Sequence, residues 1–132
     1  MPDKTILVVE DDDLNMKLVR EVLRLGPYGI LEATDAGTGI RLARQHHPDL
    51  ILMDIHLPDM DGLSATRVIM ADQDLKGIPI VALTALAMKG DREKALEAGC
   101  TEYMTKPFRI QELLETLDRH LNRQPPVDPK GL

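Results

Sequence analysis

The sequence predicts an α/β domain, a doubly wound parallel five-stranded sheet built from five βα units. Three observations lead there. Short apolar runs rich in β-branched residues recur without the polar alternation of a half-exposed strand. Between them stand apolar residues at helical spacing. The length of 132 residues suits one domain that buries its own core. Strands and helices in alternation imply right-handed crossovers, with helices covering both faces.

The first strand is Ile6–Val9, which runs into the acidic row Glu10-Asp11-Asp12-Asp13. Leu14, Leu18, Val22 and Leu25 then recur at spacings of four, four and three, the stripe expected of the first helix. Ile30–Leu31 is a weak second strand, and Asp35–His47 the second helix. Leu50–Met53, running into Asp54, is the third strand, followed by a helix over Gly62–Gln73. Ile78–Leu83, broken only by Pro79, is the fourth, with a helix from about Met88 to Ala98. The weaker Tyr103–Met104 is the fifth, before the cleanest stripe of the chain: Ile110, Leu113, Leu114, Leu117 and Leu121. Residues 1–123 therefore read as one domain, and the proline-rich stretch 124–132 as a disordered tail.

Composition excludes several function classes. Sixteen basic against twenty-two acidic side chains leave a formal charge of −6, and the aromatics are only Tyr28, Tyr103 and Phe108. Nucleic acid is thus disfavoured as a ligand, lacking both a basic face and stacking platforms. No apolar run approaches the ~20 residues of a membrane span, and the N-terminus does not resemble a signal peptide. A cytoplasmic location is expected. The lone Cys100 can form no internal disulfide and is too few for a Cys-ligated zinc.

Doubly wound sheets bind ligands at the carboxyl ends of their strands. Here those ends carry Glu10-Asp11, Asp54, Thr84 and Lys106-Pro107. Two carboxylates ~4 Å apart repel by about 4 kcal/mol at an effective dielectric of 20, so such a cluster calls for a cation. An all-oxygen donor set suits Mg²⁺. A carboxylate beside that ion can attack phosphorus, with a lysine and a threonine hydroxyl to take the phosphoryl oxygens. Blander roles compete. Asp12 or Asp13 serves equally well as a helix cap, and Thr84 or Lys106 alone would be unremarkable. Asp54 is harder to dismiss, because it ends a buried strand where an unpaired carboxylate is costly.

These stretches resemble the response-regulator receiver family. The resemblance spans Lys4 to Asn122 and rests on Ile6–Asp11, Pro48–Asp54, Leu57-Pro58 with Asp61-Gly62, Ala82–Ala85, and Ala98-Gly99 leading to Lys106-Pro107. Within the family, Leu14–Leu18, Ala87–Asp91 and Gly99-Cys100 look like the DivK-type single-domain regulators of bacterial cell-cycle phosphorelays. The resemblance implies a flavodoxin-like, CheY-like fold and a phosphorylation switch rather than an enzyme acting on other substrates. It implies that Asp54 accepts a phosphoryl group from a kinase histidine. Asp11 would ligate Mg²⁺ directly, Glu10 through water, with Asp54 and the His56 backbone carbonyl completing the protein ligands. Thr84 and Lys106 would bind phosphoryl oxygens, and Tyr103 would change rotamer on activation. Pro107 would set the turn after Lys106 through a cis bond. Glu10 stands where many members carry Asp.

Other signals are discounted. Gly37-Thr38-Gly39 opens like a dinucleotide fingerprint, but Leu42 ends the match, and there is no P-loop. Adjacent His46 and His47 point about 100° apart on a helix and cannot clamp one metal. Cys100 and Met53, Met70 and Met104 read as packing. A haloacid-dehalogenase-like phosphatase would need a second Asp two residues after its nucleophile, where this chain has His56. The expected partners are sensor histidine kinases, met through the fourth helix, fifth strand and fifth helix, by a monomer or weak dimer. The alternative is a phosphorelay intermediate that passes its phosphoryl group to a histidine phosphotransfer protein. An excised receiver from a longer protein is a further possibility. Leu86, two residues after Thr84, is expected to slow hydrolysis by offering attacking water no hydrogen bond.

Overall fold

The computed structural model describes residues 4–84 and 88–121. Five parallel strands, β1 (Lys4–Val9), β2 (Tyr28–Ala33), β3 (Leu50–Asp54), β4 (Ile80–Thr84) and β5 (Glu102–Thr105), form one sheet in the order β2-β1-β3-β4-β5. Five helices alternate with them: α1 (Asp13–Leu23), α2 (Ala36–His46), α3 (Gly62–Met70), α4 (Asp91–Ala98) and α5 (Ile110–Leu121). The doubly wound fold is therefore as expected. The tail 124–132, Leu86 and the segment 85–87 lie outside the described residues.

The central strands are buried on both faces, every residue of β3 and β4 included. Alternate side chains serve different layers. Ile6, Val8, Leu50, Leu52, Val81 and Leu83 pack with Met16, Val19 and Leu23 of α1 and Leu113 and Leu117 of α5. Leu7, Val9, Ile51, Met53 and Ala82 pack on the other side with Ile40, Ala65, Ile69 and Ala95 of α2, α3 and α4. This is why the runs do not alternate in polarity. At roughly 1.5–3 kcal/mol per fully buried aliphatic side chain, these two layers are the main source of stability.

The first helix corrects the sequence reading. Leu14, Leu18 and Leu25 are 64%, 52% and 67% exposed, while Met16, Val19, Val22 and Leu23 are buried. Both sets have helical spacing, so periodicity alone could not choose the inward face. Packing chose it, and left three leucines outside. The second strand is longer than its apolar pair Ile30–Leu31, because β2 is an edge strand held by its register with β1 (Ile6 opposite Ile30) rather than by full burial. The fourth begins only at Ile80, although the Pro79 carbonyl accepts from Ile51 N at 3.0 Å.

Caps set the helix starts. Asp12, Asp35 and Asp61 accept from the amides of Asn15, Thr38 and Ser64 at 2.9, 2.7 and 2.8 Å. The helix α4 is the shortest and buries only Ala95 and Ala98; Gly99, at φ +113°, ends it in the left-handed region that favours glycine. At Gly62 a Cβ would overlap the Asp54 carbonyl, so the start of α3 lies directly on the end of β3.

Candidate active site

The strand order reverses at β1, with β2 on one side and β3 on the other, and this opens a crevice above the carboxyl ends of β1 and β3. Glu10 follows β1, with its amide bonded to the Ala33 carbonyl at 2.9 Å. Asp54 is the last residue of β3, Thr84 the last of β4, and Lys106 follows β5 with its amide on the Thr84 carbonyl at 2.7 Å. Backbone hydrogen bonds within the sheet thus deliver four side chains to one place.

The cluster is asymmetric in burial. Glu10, Asp54 and Thr84 are buried, and the side chain of Lys106 is 7% exposed, whereas Asp11 faces solvent. One carboxylate oxygen from each of Glu10, Asp11 and Asp54 lies within 4.8 Å of the others. The Lys106 ammonium donates to Glu10 Oε1 and stands 3.6 Å from Asp54 Oδ2. Asp54 Oδ1 accepts from His56 N at 3.0 Å. Burial, reinforced by the neighbouring Asp54, pushes the Glu10 carboxyl up to about 7 against the opposing pull of Lys106.

The second oxygen of Glu10 is buried and has no hydrogen-bond partner among the described residues. An orphaned carboxylate oxygen in an all-oxygen cluster fits a hard divalent cation, and these residues could hold Mg²⁺. Tyr103 lies in the middle of β5, with a buried hydroxyl that has no partner among the described residues, and the Lys106–Pro107 bond is cis. His56 is exposed.

Two features were missed from sequence. Leu18 and Leu25, Pro107, Phe108 and Ile110 line an apolar groove of about 630 Å³ that also reaches Lys106. Leu18 and Leu25, which stand in the stripe predicted for the first helix and are exposed, are its signal. Asp59 accepts from the amides of Ala36 and Gly37 at 2.8 and 2.9 Å. Nothing in the local sequence marks that contact.

Residues 6–118 match the model of the response regulator receiver domain. The chain is 42% identical over 118 residues to the polar-differentiation response regulator DivK of Brucella ovis, covering 89% of this chain and 96% of that protein. Among solved structures, it is similar to the receiver domain of sensor histidine kinase PA1611 from Pseudomonas aeruginosa, which has a magnesium ion coordinated in its active-site cleft. That match has a TM-score of 0.85 and 41% identity, covering 91% of this chain and 98% of that one. A CheY-like receiver domain protein from Methanospirillum hungatei superposes with a TM-score of 0.83 at 28% identity, over 90% and 94% of the two chains.

Proposed function

This chain belongs to the response regulator receiver domain family, and from that premise we propose that it is a phosphorylation switch whose acceptor is Asp54. The observation that carries the reading is the convergence of three carboxylates and one buried lysine around the end of β3. The donor is a phosphohistidine of a sensor histidine kinase. Its N–P bond breaks as an O–P bond forms to the Asp54 carboxylate, leaving an acyl phosphate on the chain and an imidazole on the kinase.

Each residue has a task in that transfer. Glu10, Asp11, Asp54 and the His56 carbonyl would hold Mg²⁺, Asp11 directly and Glu10 through water. When bound, the ion offsets the negative charge that the phosphoryl group brings into an acidic cleft. The His56 amide holds one oxygen of Asp54 and so fixes the plane of the carboxylate. Lys106 moves from Glu10 to a phosphoryl oxygen, and Thr84 offers its hydroxyl to another. Tyr103 then shifts as Thr84 is drawn away from it.

The similarity to DivK over nearly the whole of that protein supports a role in polar differentiation or cell-division control. The output is a changed affinity for protein partners through α4, β5 and α5, without turnover of another substrate. The apolar groove beside Lys106 is the approach for the phosphodonor. The likeness to a receiver taken from a sensor kinase favours a second reading, in which Asp54 hands its phosphoryl group on to a histidine phosphotransfer protein.

The deciding experiment is incubation with a small phosphodonor and Mg²⁺, followed by intact-mass measurement. One base-labile phosphoryl group is expected, and none in Asp54→Asn. Label that persists in the variant overturns the assignment. Adding a histidine phosphotransfer protein to the phosphorylated chain then separates a switch from a shuttle.

A further inference from the structure

The segment 55–61 joins the proposed acceptor to α3 and carries the His56 carbonyl. Its two ends are held by backbone bonds. Ile55 N donates to the Leu83 carbonyl at 3.1 Å, and Gly62 N to the Ile55 carbonyl at 2.7 Å. Near its end Asp61 caps α3. Between these points His56, Pro58, Asp59 and Met60 are exposed, and Leu57 alone is half-buried against the core. Burial therefore holds that stretch at one side chain.

A carboxylate holds it at a second point. Asp59 Oδ1 accepts from Ala36 N at 2.8 Å, and Oδ2 from Gly37 N at 2.9 Å, across 23 and 22 residues of sequence. These are the first two amides of α2, which have no intrahelical acceptor. The helix already has a local cap, since Asp35 takes the Thr38 amide at 2.7 Å. One end of α2 is thus shared by two carboxylates from different segments. A planar group bound through both oxygens to consecutive amides is fixed in orientation as well as position. Those amides lower the Asp59 carboxyl from its ordinary value, as expected for a carboxylate that accepts two backbone hydrogen bonds.

We propose that Asp59 is a positioning residue for the metal site: by clamping the Ala36 and Gly37 amides it fixes the loop 55–61, and through it the His56 carbonyl, relative to Asp54. The inference rests on the reading of Glu10, Asp11, Asp54 and His56 as the Mg²⁺ ligands. It makes the α2 end and the metal site energetically coupled, and such coupling is reciprocal. Mg²⁺ should tighten the clamp as the clamp tightens Mg²⁺.

The test is Mg²⁺ binding to the full chain by titration calorimetry, with no phosphodonor present. Asp59→Ala should raise the Mg²⁺ Kd roughly tenfold, the lower end of what outer partners of a metal ligand carry. Asp35→Ala removes the other cap of the same helix but leaves the loop alone, and should change the Kd less than about twofold. Asp59→Asn keeps one acceptor oxygen, should fall between wild type and Asp59→Ala, and serves if the alanine variant does not fold. In wild type, hydrogen exchange at Ala36 and Gly37 should slow on adding Mg²⁺. Unchanged affinity in both Asp59 variants overturns the clamp, as does an equal loss in Asp35→Ala, which would make the effect one of helix stability. A wild-type chain that binds no Mg²⁺ overturns the metal site itself.

Discussion

Lys106, at the end of β5, donates to Glu10, at the end of β1, across 96 residues of sequence. The same ammonium stands 3.6 Å from Asp54, so one buried cation serves two buried carboxylates and the balance is negative. Glu10 carries the consequence, with its carboxyl pushed up to about 7 chiefly by burial.

A group whose folded pKa exceeds its unfolded value lends stability below the unfolded pKa and loses it as pH rises through the folded one. For Glu10 that window runs from its ordinary 4.5 to about 7. The metal-free chain should therefore gain stability as pH falls from 8 to 5.5. Glu10→Gln should be flatter across this range and more stable than wild type at pH 8. Asp59 and Asp61 are shifted the other way, below their ordinary 3.8, and their loss comes only at lower pH. Urea unfolding with a chelator at the two pH values reads the difference. A wild-type curve that rises toward pH 8 would show that Glu10 is not the strained group.

Mg²⁺ that binds only the folded chain should stabilise it by about 2.7 kcal/mol at a hundredfold excess over Kd. Asp11→Asn should remove that gain while barely changing the metal-free protein, since Asp11 is exposed. Binding should strengthen as pH rises through the Glu10 transition, because the ligand must lose its proton. Melting curves with and without Mg²⁺ suffice. A melting temperature indifferent to the ion counts against the site.

The Tyr103 hydroxyl is buried and unpartnered among the described residues, which ordinarily costs about 1–3 kcal/mol. Tyr103→Phe keeps the ring and should stabilise the unphosphorylated chain by about 1 kcal/mol. Thr84→Ala should accept phosphate at Asp54 yet lose the phosphorylation-dependent gain in partner affinity. If the phenylalanine variant is less stable than wild type, the hydroxyl has a partner in solution and the switch argument starts from the wrong state.

The order of elements was legible because β1, β3 and β4 are buried on both faces and carry uninterrupted apolar runs. The convergence of Glu10, Asp11, Asp54 and Lys106 was legible for the same reason: in this topology the strand ends meet. The inward face of α1 was not, since Leu14 and Leu18 are as apolar as Met16 and Val19, and only the packed sheet distinguishes them. The edge strand β2 is half-buried, so its composition signals little. Asp59 was invisible because its partners lie 22 and 23 residues away and a lone loop aspartate has many possible roles.

The exposed leucines of α1 lead to the last prediction. Leu14, Leu18 and Ile110 are 64%, 52% and 56% exposed, and the groove lined by Leu18, Phe108 and Ile110 shares Lys106 with the acceptor cleft. On the proposed reading, a histidine that delivers phosphate to Asp54 comes over this edge, and the element bearing it gains apolar burial by resting there. Leu18→Lys should leave unfolding within about 0.5 kcal/mol, because the side chain is outside the core. Phosphorylation by a small donor should be unchanged, since no site residue is altered. Transfer from a phosphorylated histidine kinase should slow roughly tenfold or more, about what losing one central apolar contact of 1.4 kcal/mol implies. A surface lysine on α4, such as Leu96→Lys at a side chain 46% exposed, should spare that transfer and affect only downstream binding. Equal transfer rates for wild type and Leu18→Lys, or a larger defect in Leu96→Lys, would move the donor surface away from α1.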